Sequence, residues 1–125
     1  MILDTNAISA LLSGDTGLHA ALASRDRHAL PVIALGEYRF GLIRSSKRVR
    51  AEANLRALVR ESKVLPVNQG TTGAYAEIRE ELRVRGTPIP PNDLWIAALA
   101  RQHDEPIVSR DRHFDRVEGL TRVGW

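Results

Sequence analysis

Four carboxylates carry the chemistry this sequence could perform. Asp4 stands where the apolar pair Ile2 and Leu3 ends in MILDTN, and Asp111 follows PIVS. Asp93 opens the apolar run NDLWIAALA, and Glu37 follows VIALG among residues that otherwise read as buried. Each has an ordinary explanation by itself. Asp4 or Asn6 can cap the helix that follows, Asp93 can favour the positive end of its own helix dipole, and Asp111 can close an Asx turn. Glu37 can lie on a solvated face. Taken together they suggest another role. Carboxylates brought within a few ångströms repel one another, and either a proton or a divalent cation must relieve that repulsion. Oxygen-only donors suit Mg²⁺ or Mn²⁺, and a cation held this way acidifies water and neutralises charge on a phosphodiester. The histidines, His19, His28, His103 and His113, are scattered without metal-ligand spacing and read as surface residues. Only His113 is set apart, by its nearness to Asp111. Cysteine is absent, which excludes disulfides and thiolate metal sites and fits a reducing, cytoplasmic compartment.

The remaining charge suits an anionic partner. Sixteen of the eighteen basic residues are arginine, and the formal charge is +3. Setting the four acids aside leaves the rest of the chain at +7, four more than the whole. Arginine binds phosphate through a planar fork of donors, although codon usage alone could also produce this bias. Arginines around an acidic centre would let phosphates approach a pocket that otherwise repels them.

These acids matter only if the fold joins them. ILDT reads as a short strand, ISALLSG as a helix halted at Gly14, and TGLHAALAS as a second helix beginning near Asp15 or Thr16. ALPVIA has the length and β-branching of a strand and runs into LGEYRFGLIRSS, where Leu35, Tyr38 and Leu42 recur at helical spacing. Residues 47–62 form an amphipathic helix with Leu55, Leu58 and Val59 on one face and Arg48, Arg50 and Arg56 among the residues around it. KVLPV gives a strand, and Ala74, Ile78 and Leu82 mark a helix ending near Gly86. NDLWIAALARQHD is a helix entered through Asn92 or Asp93 with Trp95, Ala98 and Leu99 buried, followed by strands at PIVS and LTRVG.

Strands that are short apolar runs, alternating with helices, predict an α/β fold with a mainly parallel sheet covered on both faces. Such sheets bind ligands beyond the carboxyl ends of their strands, where strand order reverses. The ends of ILDT and PIVS are therefore the places to look. With 125 residues, no internal repeat and no linker, the expected organisation is one domain over 1–125. No apolar run approaches the ~20 residues of a membrane span, and Asp4 interrupts any signal-peptide pattern.

The segments MILDTN, GEYRFGLIRS, PNDLWIAALA and IVSRDRHFDRVEGL, with the closing VGW, together resemble the PIN-domain ribonucleases, specifically the VapC-like toxins of type II toxin–antitoxin systems. The resemblance runs the whole length. It implies a three-layer α/β/α sandwich whose acidic site is Asp4, Glu37, Asp93 and Asp111, binding Mg²⁺ or Mn²⁺ and cutting RNA by metal-activated water to leave a 5′ phosphate. It implies support from behind those acids by Thr5, Asn6, Ser109 and Asp115. It also implies homodimers and a VapB-like antitoxin whose C-terminal segment lies across the site. Arg110 and Arg112 flank Asp111 and are expected to steer RNA rather than pair with the acids; Arg48 and Arg50 are expected to meet RNA or the antitoxin.

Two other readings compete. An aspartate ending the first strand also suits an aspartyl-phosphate enzyme or a receiver. The former wants a second Asp where Asn6 stands, and the latter a late lysine, whereas the last lysine is Lys63. A PIN-like module that binds RNA or protein without cleaving it is the remaining alternative, and decay of that kind would be expected to lose acids.

Overall fold

The apolar pair Ile2–Leu3 is strand β1, and in a computed structural model of the chain, which describes residues 1–24 and 27–125, it lies at the centre of a five-stranded sheet. The other strands are β2 (Ala29–Pro31), β3 (Lys63–Leu65), β4 (Ile107–Val108) and β5 (Arg122–Val123). Their order is β3-β2-β1-β4-β5 and every neighbouring pair is parallel, with Ile2 in register with both Ala29 and Ile107. Ile2, Leu3, Ile107 and Val108 are fully buried, as a strand covered on both faces requires.

Six helices make the crossovers: α1 (Thr5–Leu12), α2 (Thr16–Leu22), α3 (Val32–Leu42), α4 (Arg48–Glu61), α5 (Gln69–Arg85) and α6 (Pro91–His103). The chain steps outward from β1 to β2 to β3, then returns past β1 to β4 and steps outward the other way. Parallel crossovers are right-handed, so this reversal puts α1 to α4 on one face of the sheet and α5 and α6 on the other. The packing agrees: α1, α3 and α4 contact one another, and α5 lies along α6. The result is the three-layer α/β/α sandwich.

Strand order reverses between β1 and β4. Their carboxyl ends deliver Asp4 and Ser109 to adjacent positions, joined by the Asp4 N–H donating to the Val108 carbonyl at 3.3 Å. Because the strands are so short, helices from opposite faces can meet above them, and α3 contacts α6. That contact brings the helix carrying Glu37 to the one carrying Asp93.

Local chemistry sets the helix boundaries. Asp4 caps α1, so the helix begins at Thr5 and includes the whole of TNAISALL, three residues earlier than ISALL predicts. Asp15 caps α2 as expected. Asn68 and Thr71 form a reciprocal capping box at the start of α5, and Gly86 ends that helix at φ 68°, a left-handed position where glycine carries no side-chain clash. Two expectations are corrected. ALPVIA is not one strand: β2 stops at Pro31, and Val32–Ile33 open α3, because Pro31 supplies the extended turn into the helix while its register partner Leu65 ends β3. Trp95 is only partly buried, since its ring stacks on Tyr75 of α5, with centroids 3.9 Å apart, rather than entering the core beside Ala98 and Leu99. Among the described residues, no helix is long and apolar enough to cross a membrane.

Candidate active site

Asp4, Glu37, Asp93 and Asp111 line one pocket of about 420 Å³ at the switch point, together with Thr5, Asn6, Asn92, His113 and the Pro90–Pro91 turn. Four segments far apart in sequence supply them: the end of β1, the middle of α3, the first turn of α6 and the turn after β4. A larger groove of about 910 Å³ runs between α1, α3 and α4, but Lys47 and Arg50 line it and no acid does.

Asp4 is 4% exposed and serves two structures. Its Oδ1 accepts the Ala7 N–H at 2.7 Å, which is the helix cap, and its Oδ2 accepts the hydroxyl of the fully buried Ser109. Burial raises its carboxyl above the usual range despite those hydrogen bonds, and the charges of Asp93 and Asp111 add to the rise. Ser109 Oγ also accepts the Asp111 backbone N–H at 2.8 Å, so one hydroxyl ties Asp4 to Asp111. Glu37 accepts the Thr5 hydroxyl at 2.7 Å through Oε1, leaving Oε2 without a partner among the described residues. Asp93 is raised chiefly by burial and further by Asp111 and Glu37, with a hydrogen bond from His113 opposing the rise.

His113 belongs to this cluster, contrary to its reading as a surface residue. Its Nδ1 lies 3.0 Å from Asp111 Oδ1 and 3.2 Å from Asp93 Oδ2. A 3₁₀ turn over Arg112–Arg116, capped by Asp111, turns the ring back over the carboxylate two positions earlier. The Asp-x-His spacing was the available signal. Among the described residues, the donor atoms that lie within 4.8 Å of one another are those of Asp93, Asp111 and His113, while Asp4 and Glu37 line the same pocket. This donor set fits a divalent cation, because its two carboxylates repel one another and the contact from His113 offsets only part of the rise at Asp93.

The other expected residues divide. Asn6 borders the pocket and is exposed. Asp115 lies outside it, bonded to Arg122 at 2.7 and 3.0 Å, and Arg122 in turn donates to the Ser109 carbonyl at 3.0 Å. Asp115 is thus connected to the acids only through Arg122 and Ser109, and Arg122 is a link that LTRVG did not reveal. Arg110 avoids the four acids and pairs with Asp15 at 2.9 Å. Arg112 is exposed on the 3₁₀ turn. Arg48 and Arg50 are exposed on α4, and Arg50 faces the larger groove rather than the acids.

The family model described as PIN domain matches residues 1–120. The chain belongs to the PIN domain family. Among curated relatives, Ribonuclease VapC5 of Mycobacterium tuberculosis is 34% identical over 98% of this chain and 90% of its own length. Ribonuclease VapC2 of Rickettsia felis is 28% identical over 83% of this chain and 78% of its own. Among solved structures, that of VapBC2 from Rickettsia felis bound to a DNA fragment from its promoter superposes with a TM-score of 0.88 at 25% identity, covering 99% of this chain and 97% of the other. This PIN chain is therefore similar over nearly its whole length to a protein named VapC5 and to a chain of the VapBC2 structure.

Proposed function

We propose that this protein is a VapC-like toxin, a Mg²⁺- or Mn²⁺-dependent endoribonuclease of a type II toxin–antitoxin module. The observation that carries the reading is the meeting of Asp4, Glu37, Asp93 and Asp111 around one pocket in a chain whose relatives are named ribonucleases. Asp93 and Asp111 would hold the cation, with Asp4 and Glu37 closing the same pocket around it. Bound there, the cation supplies charge neutralisation for the phosphodiester and makes water more acidic. The chain's own residues do the positioning. Ser109 fixes the spacing of Asp4 and Asp111, and Thr5 fixes Glu37 so that its free oxygen can orient water and accept its proton. His113, between Asp93 and Asp111, can join them as a ligand or hold them apart when no cation is present.

A VapB-like antitoxin is the natural partner, since the structural relatives are VapBC complexes. The groove lined by Leu12, Tyr38, Val49 and Arg50 offers it apolar area beside positive charge. We place Arg48 and Arg50 with that partner rather than with RNA. A homodimer working in the cytoplasm completes the reading, and the acids it retains favour it over a non-cleaving RNA- or protein-binding module.

The test is incubation of the purified protein with structured RNA in Mg²⁺, with EDTA as the control. Cleavage is expected in Mg²⁺, with products sensitive to a 5′-monophosphate-dependent exonuclease, and chelation should stop it. Undiminished cleavage in EDTA would remove the metal from the reading; no cleavage of any RNA would favour the binding module. Ser109→Ala should weaken Mn²⁺ binding by calorimetry about 10-fold or more, the usual cost of losing a group that orients a ligand. Unchanged affinity would mean that Asp4 and Asp111 hold their places without it.

A further inference from the structure

Asn6 borders two cavities. Beyond the acid pocket lies a second cleft of about 320 Å³, lined by Ser9, Ser13, Asp15, Arg110 and Trp125. Arg110 is clamped at its edge. Its Nη2 donates to Asp15 Oδ2 at 2.9 Å, and its guanidinium carbon lies 4.5 Å from the centre of a Trp125 ring. Both clamping groups are themselves fixed. Asp15 caps α2 through Oδ1, which accepts the Leu18 N–H at 3.0 Å, and Trp125 packs against the core. The Arg110 backbone is held as well, lying between Ser109 and Asp111.

This arrangement contributes little to stability. An exposed ion pair is worth about 0–1 kcal/mol and an exposed cation–π contact about 0.5–1 kcal/mol. What it does is immobilise the guanidinium of a side chain that is 56% exposed, beside a pocket that repels anions. An arginine ordered in advance loses less rotamer freedom when it binds, and its free N–H groups match phosphate oxygens. The cleft offers further donors in the hydroxyls of Ser9 and Ser13 and the amide of Asn6. Its aromatic ring is already covered by the guanidinium, so the surface presents hydrogen-bond donors rather than a stacking face.

We propose that the Asp15–Arg110–Trp125 clamp forms a phosphate subsite for single-stranded RNA, taking the backbone phosphate of the nucleotide next to the one held at the acids. Arg110 is the contact; Asp15 and Trp125 are positioning residues. The inference deepens the ribonuclease reading and rests on it for the location of the scissile linkage. Its test does not depend on cleavage.

Binding of fluorescein-labelled oligouridine is measured by anisotropy across a salt series, with the full chain carrying Asp93→Asn so that the RNA survives. Adding Arg110→Gln should weaken binding about tenfold, as loss of a charge-assisted contact does, and reduce the salt slope by about 0.7, the value for one phosphate on a single strand. Arg85→Gln removes the same charge at the Glu118 side of the molecule and should change affinity less than twofold. Asp15→Asn separates clamping from bulk charge, because asparagine still caps α2 while the net charge rises by one. The clamp predicts weaker binding for Asp15→Asn; simple electrostatics predicts tighter. Tighter binding, equal losses for Arg110→Gln and Arg85→Gln, or no binding by the parent would each overturn the subsite. If the wild-type protein cleaves no RNA but Arg110→Gln still loses affinity selectively, the subsite stands and the nuclease reading falls.

Discussion

Replacing Asp93 with asparagine should lower RNA cleavage by about 100-fold or more while making the metal-free protein more stable at neutral pH. The two effects have one origin. Burial, with Asp111 and Glu37 nearby, raises the folded-state carboxyl of Asp93 above its ordinary 3.8, although the bond from His113 opposes the shift. A raised acid binds protons more readily in the folded chain than in the unfolded one, so stability declines as pH climbs from the unfolded value through the folded one. Above that window the full penalty is present. An asparagine at this position would carry no such penalty and could still accept from His113. The melting-temperature difference between variant and wild type in EDTA should therefore be absent near pH 3 and grow to a plateau at neutral pH. Saturating Mn²⁺ should reverse the order, because a ligand at about 100 times its dissociation constant stabilises the wild type by about 2.7 kcal/mol. The variant should gain little. A 100-fold loss of rate corresponds to about 2.7 kcal/mol in the barrier, within what removing one ligand of a charge-neutralising cation can cost. A variant that is less stable in EDTA at pH 7, or that binds Mn²⁺ as wild type does, would show that Asp93 is a structural acid of α6 and not a ligand.

What the sequence revealed of this site followed from a simple physical rule. Short apolar strands alternating with helices imply a parallel sheet, a parallel sheet with a reversed crossover has a switch point, and the acids that follow β1 and β4 fall there. Asp4 and Asp111 were legible for that reason. Glu37 was legible only as an oddity, a carboxylate inside an apolar helix, because the α3–α6 contact that gives it a purpose is tertiary. His113 was misread because side-chain direction in a 3₁₀ turn depends on the cap that Asp111 provides, and spacing rules for metal ligands assume helices or loops of known shape. Arg110 was expected to steer RNA rather than pair with the four acids, and it does avoid them. The groups that hold it, Asp15 and Trp125, are distant from it along the chain, and no local pattern encodes them. The displaced start of α3 has a similar cause: Val32 and Ile33 favour a strand locally, yet β2 can extend only as far as its partner β3.

The ordinary readings of the three aspartates were also correct, which bears on how Asp4 should behave. Asp4 does cap α1, Asp111 does close a turn by accepting the His113 N–H at 2.9 Å, and Asp93 does sit in the first turn of α6. A carboxylate has two oxygens. Capping occupies Oδ1 of Asp4, and Oδ2 is held by Ser109 at the pocket wall, so the same residue can start a helix and serve the site. Asp4→Asn separates the roles. Asparagine is as good a cap as aspartate, so α1 should survive, and removing a buried charge whose carboxyl is raised should leave the metal-free protein at least as stable at neutral pH. The rotamer that keeps the carbonyl oxygen on the Ala7 N–H turns the amide nitrogen toward Ser109, whose hydroxyl can accept from it while giving up its own donation. Cleavage should nevertheless fall by about 100-fold or more, since the wall loses its negative charge and the spacing to Asp111 is no longer held by the same hydrogen bond. Thermal melts in EDTA and single-turnover cleavage in Mg²⁺ measure the two separately. A variant that melts several degrees lower and loses activity only in proportion to its unfolded fraction would reduce Asp4 to a helix cap, whereas stable protein without activity assigns it to the chemistry.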